Sequence, residues 1–372
     1  MAASIHYWSA TLSGDTSPPG VSVIICCHNS SALLPRTLQH LAQQRVDPQI
    51  PWQVLVVDNA STDQTAAVAR RLWPQDHPVT LRVLHEPRLG LAHARARGVS
   101  EAGYEFLTFV DDDNWLNSTW VQSAFEVMCA HPNVGALGGI VEPEFETSRP
   151  PWFQPVSYLY ALGPAGEPSG DVTGIHMLCG AGLTLRKSAL ADLHQKGFRF
   201  LSVGRTGKSQ GAGEDSELTY SLRLAGWRLW IDPRLRMKHF LPAWRLQWDY
   251  ARQLAYWSAY ATPERDALVY ACKPPRHGLL QQLRYLRESW FWQVGDTLGQ
   301  LVRIPSGVLK RSLRIGNDGD SAVLRSEFLR GRLDGLLAAR PWYNARASEV
   351  RSLLARLEGF PSEGPLQVEP SL

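Results

Sequence analysis

The sequence lacks long apolar runs and has few cysteines. It contains no stretch of about 18 apolar residues, the length that spans a bilayer, and its first 20 residues show no basic segment followed by an apolar one. The five cysteines are odd in number and have no CxxC spacing, which argues against a disulfide framework. We therefore expect reduced thiols, a cytoplasmic location and no membrane-spanning segment.

Charge is also sparse. Charged residues make up 20% of the 372 residues and hydrophobic residues 44%, with 30 Gly and 25 Pro spread along the chain. This composition excludes a disordered, collagenous or coiled-coil chain and predicts a globular protein. The net charge is +3, yet residues 273–314 hold eight basic and two acidic side chains. That segment suits an anionic membrane surface or an acidic ligand, although a solvated helical face is the simpler explanation.

Apolar strands and amphipathic helices alternate four times near the start of the chain. Short β-branched runs bounded by breakers predict strands, and apolar residues at helical spacing predict the helices between them. Near-continuous apolar strands favour an α/β fold in which helices cover both faces of a mainly parallel sheet. The predicted strands are Val21–Cys26, Gln53–Val57, Leu81–Leu84 and Phe106–Val110.

The rest of the chain is less regular. The expected elements are a helix over Leu116–Ala130, a strand near Gly135–Val141, a strand-to-helix passage within Ala181–Leu193 and a helix over Glu214–Ala225. Residues 202–213 have the Gly-rich, polar composition of a mobile loop. From residue 244 to about residue 358 the pattern is mainly helical, with breaks near Pro274 and Pro305.

Three consecutive carboxylates, Asp111, Asp112 and Asp113, follow the fourth predicted strand. Like charges this close raise one another's pKa unless a positive group lies between them. In an extended segment Asp111 and Asp113 point the same way, so they could share one oxygen-preferring ion such as Mg²⁺ or Mn²⁺. The alternative is a helix cap at Asp113 or Asn114, which accounts for one acidic residue well and for three poorly.

Two other positions suggest chemistry only in combination with this triplet. His239 is suited to be a further Mn²⁺ ligand, although a lone histidine is more often structural. Glu214 and Asp215 open a predicted helix after the Gly-rich loop, where a carboxylate can act as general base on a substrate hydroxyl. The alternative for this acidic pair is stabilisation of the helix start, worth about 0.3–1 kcal/mol.

Five segments occur in the order and at the intervals of one enzyme family. They are Val21–Cys26, Val56–Asp63, Gly90–Gly98, Phe109–Leu116 and Gly213–Asp215. Together they resemble the family 2 inverting glycosyltransferases of the GT-A fold, in particular bacterial, non-processive members, over about residues 20–250. The resemblance implies an α/β nucleotide-diphospho-sugar transferase fold with a mainly parallel central sheet, followed by a mostly helical C-terminal extension.

The resemblance also implies a division of the chain. We expect an N-terminal tail over residues 1–19, a catalytic domain over 20–242, a helical C-terminal region over 243–360 and a flexible tail over 361–372. Within the catalytic domain, residues 20–140 are expected to bind the nucleotide and residues 141–242 to contact the acceptor.

A set of residues is expected, on this resemblance, to bind the nucleotide sugar. It comprises Cys27, His28, Asn29, Asp58, Arg95, Asp111, Asp112, Gly180, Ala181, Arg205 and Lys208. Asp58 and Arg95 are implied to hold the base, beside the strand-end backbone of residues 27–29. Small residues at 180–182 let the donor sugar approach the backbone, and Arg205 and Lys208 belong to a loop expected to close over the diphosphate.

The family's DxD motif matches Asp111 to Asp113. The resemblance implies that Asp111 contacts the ribose or the metal, that Asp113 holds Mg²⁺ or Mn²⁺, and that His239 completes the metal shell. Asp215 matches the catalytic base, and Glu214 is its orienting or acceptor-side neighbour.

Two positions depart from the family's usual pattern. Ala96 stands where an Asn is usual, and His28 where a Tyr is usual. Neither belongs to the implied acid, base or metal set. The Gln-x-x-Arg-Trp motif and the transmembrane helices of processive synthases are missing from this sequence, so we expect no polymer-extruding synthase.

The leading hypothesis is therefore a metal-dependent, inverting transfer of one sugar in bacterial surface polysaccharide synthesis. The donor is expected to be UDP-, GDP- or dTDP-linked and the acceptor a glycan or a lipid-linked glycan, with no nucleic-acid partner. The C-terminal helices could lie on the inner face of the cytoplasmic membrane, or pack against the catalytic domain or a second subunit. The alternatives are a sugar-nucleotide nucleotidyltransferase and a non-catalytic, sugar-nucleotide-binding scaffold subunit.

Overall fold

A computed structural model describes residues 17–164, 166–174, 177–201, 213–273, 278–305 and 318–357. The expectations for the tail at 361–372, for the chain break at Pro274 and for the loop over 202–212 lie outside these residues.

The first part of the chain forms the predicted alternation of strands and helices. Its elements are β1 (Val21–Cys27), α1 (Leu34–Ala42), β2 (Trp52–Asn59), α2 (Thr65–Leu72), β3 (Leu81–Glu86), α3 (Leu91–Glu101) and β4 (Phe106–Val110). All five residues of β4 and nearly all of β1 are buried. This burial explains the lack of polar alternation in their sequences, because both faces of these strands are covered.

The next elements complete the sheet. They are β5 (Asn114–Leu116), α4 (Trp120–Ala130), β6 (Val134–Phe145), α5 (Phe153–Val156), β7 (Gly170–Asp171), β8 (Thr184–Arg186), α6 (Lys187–Gln195), α7 (Glu214–Leu224) and β9 (Arg228–Leu241). The strand near Gly135–Val141 and the helix after Glu214 are confirmed. The expected start of α4 at Leu116 is wrong, because Leu116 pairs with Met237 of β9 as part of β5.

The described strands form one mixed sheet in the order β3-β2-β1-β4-β8-β6-β9-β5, with β7 paired to β9. Strands β1 to β4, β6 and β9 run in one direction, and β5, β7 and β8 run against them. The parallel register aligns Cys27 with Asp58 and Asp58 with His85. The carboxyl ends of these strands therefore meet at one edge, where ligands bind in open α/β sheets.

The C-terminal region is helical, as expected. It comprises α8 (Trp248–Tyr260), α9 (Thr262–Ala271), α10 (Gly278–Glu288), α11 (Trp290–Val302), α12 (Ser321–Ala339) and α13 (Tyr343–Arg356). Leu268 of α9 and Val350 of α13 belong to the same hydrophobic cluster as Leu222 and Leu229 beside the sheet. Much of this region therefore packs directly on the α/β part, one of the alternatives that the sequence left open.

Two glycines allow α12 to lie close against α8. A Cβ atom built on Gly331 would lie 2.1 Å from the carbonyl oxygen of Tyr256, and one on Gly335 would lie 2.2 Å from that of Tyr260. Any side chain at these positions would force the helices apart.

Two expectations about compartment and membrane can be compared with the structure. All five cysteines lie among the described residues, and none of them is in a disulfide bond. Within the part of the chain that the structure describes, no helix is both long and apolar enough to cross a bilayer.

Candidate active site

Hydrogen bonds join the loop after β1 to the loop after β2. His28 Nδ1 lies 2.8 Å from the carbonyl oxygen of Asn59. Asn29 adopts the left-handed backbone region, with φ of 53°, and its side-chain oxygen accepts a 2.8 Å hydrogen bond from the backbone N–H of Thr62. Asn tolerates this conformation better than most residues. His28 and Asn29 therefore form an exposed rim at the carboxyl end of the sheet.

Asp58 is buried at the end of β2. Its Oδ1 atom is shielded from solvent and accepts no hydrogen bond from the described residues, and its Oδ2 atom lies 3.9 Å from His85 Nδ1. A buried carboxylate oxygen without a donor is costly in an isolated protein. Its position at the ligand-binding edge suits a donor group supplied by a ligand.

Asn59, next to Asp58, shapes the loop that leads to α3. Its side-chain amide donates to the carbonyl oxygens of Glu86 and Arg88 at 3.1 and 2.7 Å, and its side-chain oxygen accepts from the backbone N–H of Gly90 at 2.8 Å. No sequence pattern singled out Asn59 as a site residue. Its amide fixes the start of α3, the helix that carries Arg95.

Arg95 connects the two acidic groups that lie far apart in the sequence. Its Nη1 donates a 2.9 Å hydrogen bond to Glu214 Oε2, and both side chains are mostly buried. Burial alone would lower the pKa of Arg95, but the charges of Glu214, Asp111 and Asp215 outweigh burial and raise it. Arg95 therefore carries its charge between the end of β4 and the start of α7.

The carboxylate of Asp215 is fixed by two backbone N–H groups. Gly180 donates to Oδ2 at 2.8 Å, and Ser216 donates to Oδ1 at 2.9 Å. A Cβ atom on Gly180 would lie 3.1 Å from Arg95 Nη2 and 3.4 Å from Asp215 Oδ2. Gly180, Arg95 and Asp215 thus meet at one point, whereas the neighbouring Ala181 is buried in a hydrophobic cluster.

The aspartate triplet forms a turn. The backbone N–H of Asn114 donates to the carbonyl oxygen of Asp111 at 3.1 Å, and the backbone N–H of Asp111 donates to Asn114 Oδ1 at 3.1 Å. The prediction of an extended segment with Asp111 and Asp113 on one side is therefore wrong. This turn places Asp111 near Arg95 and Asp113 beside β9.

Asp113 is held by two basic side chains. Arg245 Nη1 donates to its Oδ2 at 2.6 Å, and His239 Nε2 lies 3.5 Å from the same oxygen. Burial alone would raise the pKa of Asp113, but His239 and Arg245 outweigh burial and lower it to about 2. His239 Nδ1 faces the carbonyl oxygen of Tyr160 at 3.0 Å, which fixes the ring.

The pKa of Asp112 is shifted in the opposite direction from that of Asp113. Burial and the nearby charge of Asp113 raise the pKa of Asp112 to about 7. Its backbone carbonyl oxygen accepts a 2.6 Å hydrogen bond from Thr37 Oγ1 of α1. The pKa values of these two adjacent carboxyl groups are therefore shifted in opposite directions, because burial dominates at Asp112 whereas the contacts with His239 and Arg245 dominate at Asp113.

The residues around Asp113 suit a cation. Carboxylate oxygen and imidazole nitrogen are suitable ligands for Mn²⁺, and Arg245 Nη1 already places positive charge 2.6 Å from Asp113 Oδ2 and 3.2 Å from His239 Nε2. Among the described residues, no three His, Cys, Asp or Glu side chains form a ready-made metal site. Asp113 and His239 therefore fit a metal as a pair, which needs further ligands.

Arg245 is the main site residue that sequence reasoning missed. It lies in a short 3₁₀ helix over Ala243–Leu246 that follows β9. Its position six residues after His239 was the only sequence signal, and a single arginine there does not stand out. Two residues predicted for donor binding, Arg205 and Lys208, lie outside the described residues.

Comparison with known proteins gives one family match. The model of the family described as glycosyl transferase family 2 matches residues 22–193. This range contains β1 to β8 and the aspartate triplet, while Glu214, Asp215, His239 and Arg245 lie beyond it.

Two curated relatives show the range of similarity. The glucosyl-dolichyl phosphate glucuronosyltransferase of Haloferax volcanii is 20% identical over 290 residues, which cover 77% of this chain and 88% of the relative. The succinoglycan biosynthesis protein ExoM of Rhizobium meliloti is 26% identical over 214 residues, which cover 57% of this chain and 64% of the relative.

Two solved structures are also similar. A structure of Staphylococcus aureus TarS, residues 1–349, has a TM-score of 0.47 at 16% identity and covers 92% of this chain and 93% of its own. The mannosyltransferase PcManGT of Pyrobaculum calidifontis, in complex with GDP-Man and Mn²⁺, has a TM-score of 0.49 at 18% identity and covers 90% of this chain and 92% of its own.

Proposed function

We propose that this chain, whose residues 22–193 match the glycosyl transferase family 2 model, is a glycosyltransferase of the GT-A fold that transfers one sugar with inversion. The donor is a nucleotide-diphosphate sugar, UDP-, GDP- or dTDP-linked. The acceptor is a hydroxyl of a glycan or of a lipid-linked glycan. The proposal extends to a cytoplasmic enzyme of bacterial surface polysaccharide synthesis.

One observation carries the proposal: Arg95 lies between the aspartate triplet and the later acidic pair. It donates to Glu214 at 2.9 Å and interacts electrostatically with Asp111 and Asp215. An inverting transfer needs its donor-binding carboxylates and its base within one substrate's length. The shared arginine supports a single site that contains both groups.

Asp215 is the proposed catalytic base. Both of its oxygens accept backbone N–H groups, so the direction of the carboxylate is set before substrate arrives. It accepts the proton of the acceptor hydroxyl while that oxygen attacks C1 of the sugar on the face opposite the diphosphate. The C1–oxygen bond to the new acceptor forms as the bond to the diphosphate breaks, and the nucleoside diphosphate leaves with the electron pair.

The nucleotide is proposed to lie across the ends of β1 and β2. Asp58 has a buried oxygen available for a donor group of the base or ribose, and the backbone of Cys27, His28 and Asn29 borders the same edge. In this proposal Arg95 balances the charge of Glu214 and Asp111 beside the donor. Glu214 in turn orients Arg95 rather than taking the proton itself.

Asp113 and His239, with Asp111, are the proposed ligands of a Mg²⁺ or Mn²⁺ ion. When bound, such an ion acts as a Lewis acid that stabilises negative charge on the leaving diphosphate. The chain itself lowers the pKa of Asp113 to about 2, so this ligand is a carboxylate at any physiological pH.

The proposed class of acceptor rests on the names of two relatives. One relative is named for glucosyl-dolichyl phosphate and another for succinoglycan biosynthesis, which supports a glycan or lipid-linked glycan as acceptor. For the location, we propose the cytoplasm, with the helical C-terminal region as the part that contacts the membrane.

A donor panel tests the proposed function. Purified protein is incubated with UDP-, GDP- and dTDP-linked sugars, with Mn²⁺ and with or without a mixed glycan acceptor, and released nucleoside diphosphate is measured. We expect release from one donor class, lost in Asp215→Asn and retained in Asp249→Asn, whose carboxylate is exposed on α8. Pyrophosphate formation would instead indicate a nucleotidyltransferase, and binding without release a scaffold subunit.

A further inference from the structure

Helix α10 exposes a row of leucines to solvent. Leu279, Leu280, Leu283 and Leu286 recur at helical spacing and are exposed, Leu279 by 70%. On the described part of α10 the one buried residue is Glu288 at its end, which is bonded to Arg284 at 2.6 Å. This helix therefore turns its apolar face outward.

Helix α11, which follows α10 in the chain, also exposes apolar side chains. Its inner stripe packs on α12 through Trp290, whose indole N–H donates to the carbonyl oxygen of Leu336. A second stripe of Phe291, Leu298 and Val302 lies on a neighbouring side of the helix, with Phe291 exposed by 74% and Val302 by 84%. The apolar face of α10 and α11 is defined here as Leu279, Leu280, Leu283, Leu286, Phe291, Leu298 and Val302.

The exposed apolar side chains on these two successive helices are more numerous than isolated exposed leucines would explain. Scattered apolar residues on a surface are normal, but a contiguous group marks an interaction site. Tyr285 and Trp292 are exposed on the same two helices, and amphipathic aromatic rings of this kind favour the boundary between water and lipid. None of the described helices is both long and apolar enough to cross a bilayer.

Positive charge accompanies the apolar face. Arg287 and Arg303 are exposed on these helices, and Arg287 lies over the ring of Trp292 at 5.9 Å. In sequence, residues 273–314 hold eight basic side chains and two acidic ones, and Glu288 among the acidic ones is already paired with Arg284. Anionic lipid headgroups complement this charge. Two copies of the chain placed face to face would bring the same arginines together.

We propose that the apolar face of α10 and α11 docks this protein on an anionic phospholipid bilayer. Its leucines, Phe291 and Val302 enter the boundary of the acyl chains, while Arg287 and Arg303 contact lipid phosphates. What this docking implies about the acceptor rests on the proposed function. A glycosyltransferase held at the bilayer surface meets an acceptor that is itself anchored in lipid. The acceptor class is thereby narrowed from a glycan in general to a lipid-linked glycan.

Vesicle sedimentation tests the docking. The full chain is mixed with vesicles of phosphatidylcholine and phosphatidylglycerol in equal parts, and with vesicles of phosphatidylcholine alone. We expect sedimentation with the anionic vesicles, weakened by high salt, and little with the neutral ones. Leu279→Ser/Leu298→Ser, with one substitution on each helix, is expected to lower the partition coefficient at least about tenfold, because both exposed side chains lose their apolar contact with lipid.

The control is Leu72→Ser/Leu89→Ser, which replaces two exposed leucines elsewhere on the chain. This variant is expected to bind vesicles like the unaltered protein, and the thermal stability of both variants is measured to confirm folding. Docking is refuted if the unaltered protein stays in the supernatant, or if the α10–α11 variant binds as well as the control. It is equally refuted if sedimentation equilibrium shows a dimer that this variant dissociates, since a second copy then covers the face.

The docking test and the proposed function fail separately. Vesicle binding needs neither donor nor turnover, whereas nucleoside diphosphate release is measured in detergent without vesicles, on a mixture of soluble and lipid-linked glycan acceptors. If the chain releases nucleoside diphosphate but does not bind vesicles, only the docking is wrong. If it binds vesicles but turns over no donor, the glycosyl transfer is wrong and the docking stands.

Discussion

Arg245 donates a 2.6 Å hydrogen bond to Asp113 and lies 3.2 Å from His239 Nε2. The guanidinium thus occupies the place of a cation shared by two predicted metal ligands. A divalent ion bound by Asp113 and His239 would have to displace Arg245 from this contact, since two cations so close repel each other strongly in a buried site. Arg245 and the proposed metal ion would therefore compete for the same two side chains.

The first prediction follows from that competition. Arg245→Gln removes the competing charge, so the affinity of the nucleotide-free protein for Mn²⁺ is expected to rise about tenfold, or about 1.4 kcal/mol. Binding is measured by the loss of the free-Mn²⁺ electron paramagnetic resonance signal. Arg234→Gln, at an exposed arginine paired on the surface, serves as the control. Unchanged or weaker Mn²⁺ binding by Arg245→Gln would show that metal and arginine do not compete.

The second prediction concerns the close approach at Gly180. In Gly180→Ala the new methyl group meets Arg95 Nη2 at 3.1 Å and Asp215 at 3.4 Å, so one of these side chains must move by a few tenths of an ångström. We expect kcat to fall about tenfold, since small misplacements of a base are costly, with little change in melting temperature. Gly295→Ala meets nothing within 4 Å and is expected to keep full activity. Equal activity of the two variants would contradict the convergence of these residues.

The third prediction concerns pH. Because the pKa of Asp112 is raised to about 7 in the folded chain from an ordinary value of 3.8, the folded state keeps a proton that the unfolded state loses. The free energy of unfolding should therefore fall as pH rises from about 4 to about 7. Asp112→Asn removes this fall, so in chelator at pH 8 the variant should be more stable than the unaltered protein by about 4 kcal/mol.

Denaturant unfolding at two pH values checks this. Near pH 3, below the ordinary pKa of 3.8, the two proteins should have similar stability, because most Asp112 side chains are then protonated in both states of the unaltered chain. The control is Asp249→Asn, at an exposed carboxylate, which should not change the pH dependence. A constant stability difference across the range would mean that Asp112 does not titrate as its burial implies.

The regular part of the fold was predictable from the sequence. Strands β1 and β4 are covered on both faces, so their apolar runs stand out, and breakers such as Pro19–Gly20 mark where they begin. The long strand β9, which lies between β6 and β5, was not predicted. It alternates buried and half-exposed residues and contains Pro233 within a register shift, a pattern that weakens the signal of a strand.

The site was predictable in part. Asp58, Asp111 and Asp215 follow recognisable motifs, and the structure places them at one edge of the sheet. The basic partners of the acidic site residues were not predictable. Arg245 and Asp113 are 132 positions apart in the sequence, and Arg95 and Glu214 are 119 positions apart. Such pairings depend on how the sheet and helices pack. The turn at Asp111 to Asn114 was likewise missed, since one of its two hydrogen bonds depends on the side chain of Asn114.

The central claim is that Asp215 removes the acceptor's proton beside a donor bound by the aspartate triplet. Its most direct test is kcat for nucleoside diphosphate release by Asp215→Asn, measured together with the Kd of the nucleoside diphosphate in the same preparation. We expect the kcat of Asp215→Asn to fall about 10²- to 10⁴-fold, while its Kd for the nucleoside diphosphate stays within about twofold. A variant that keeps the kcat of the unaltered enzyme, or that loses nucleotide binding in parallel with turnover, would contradict it.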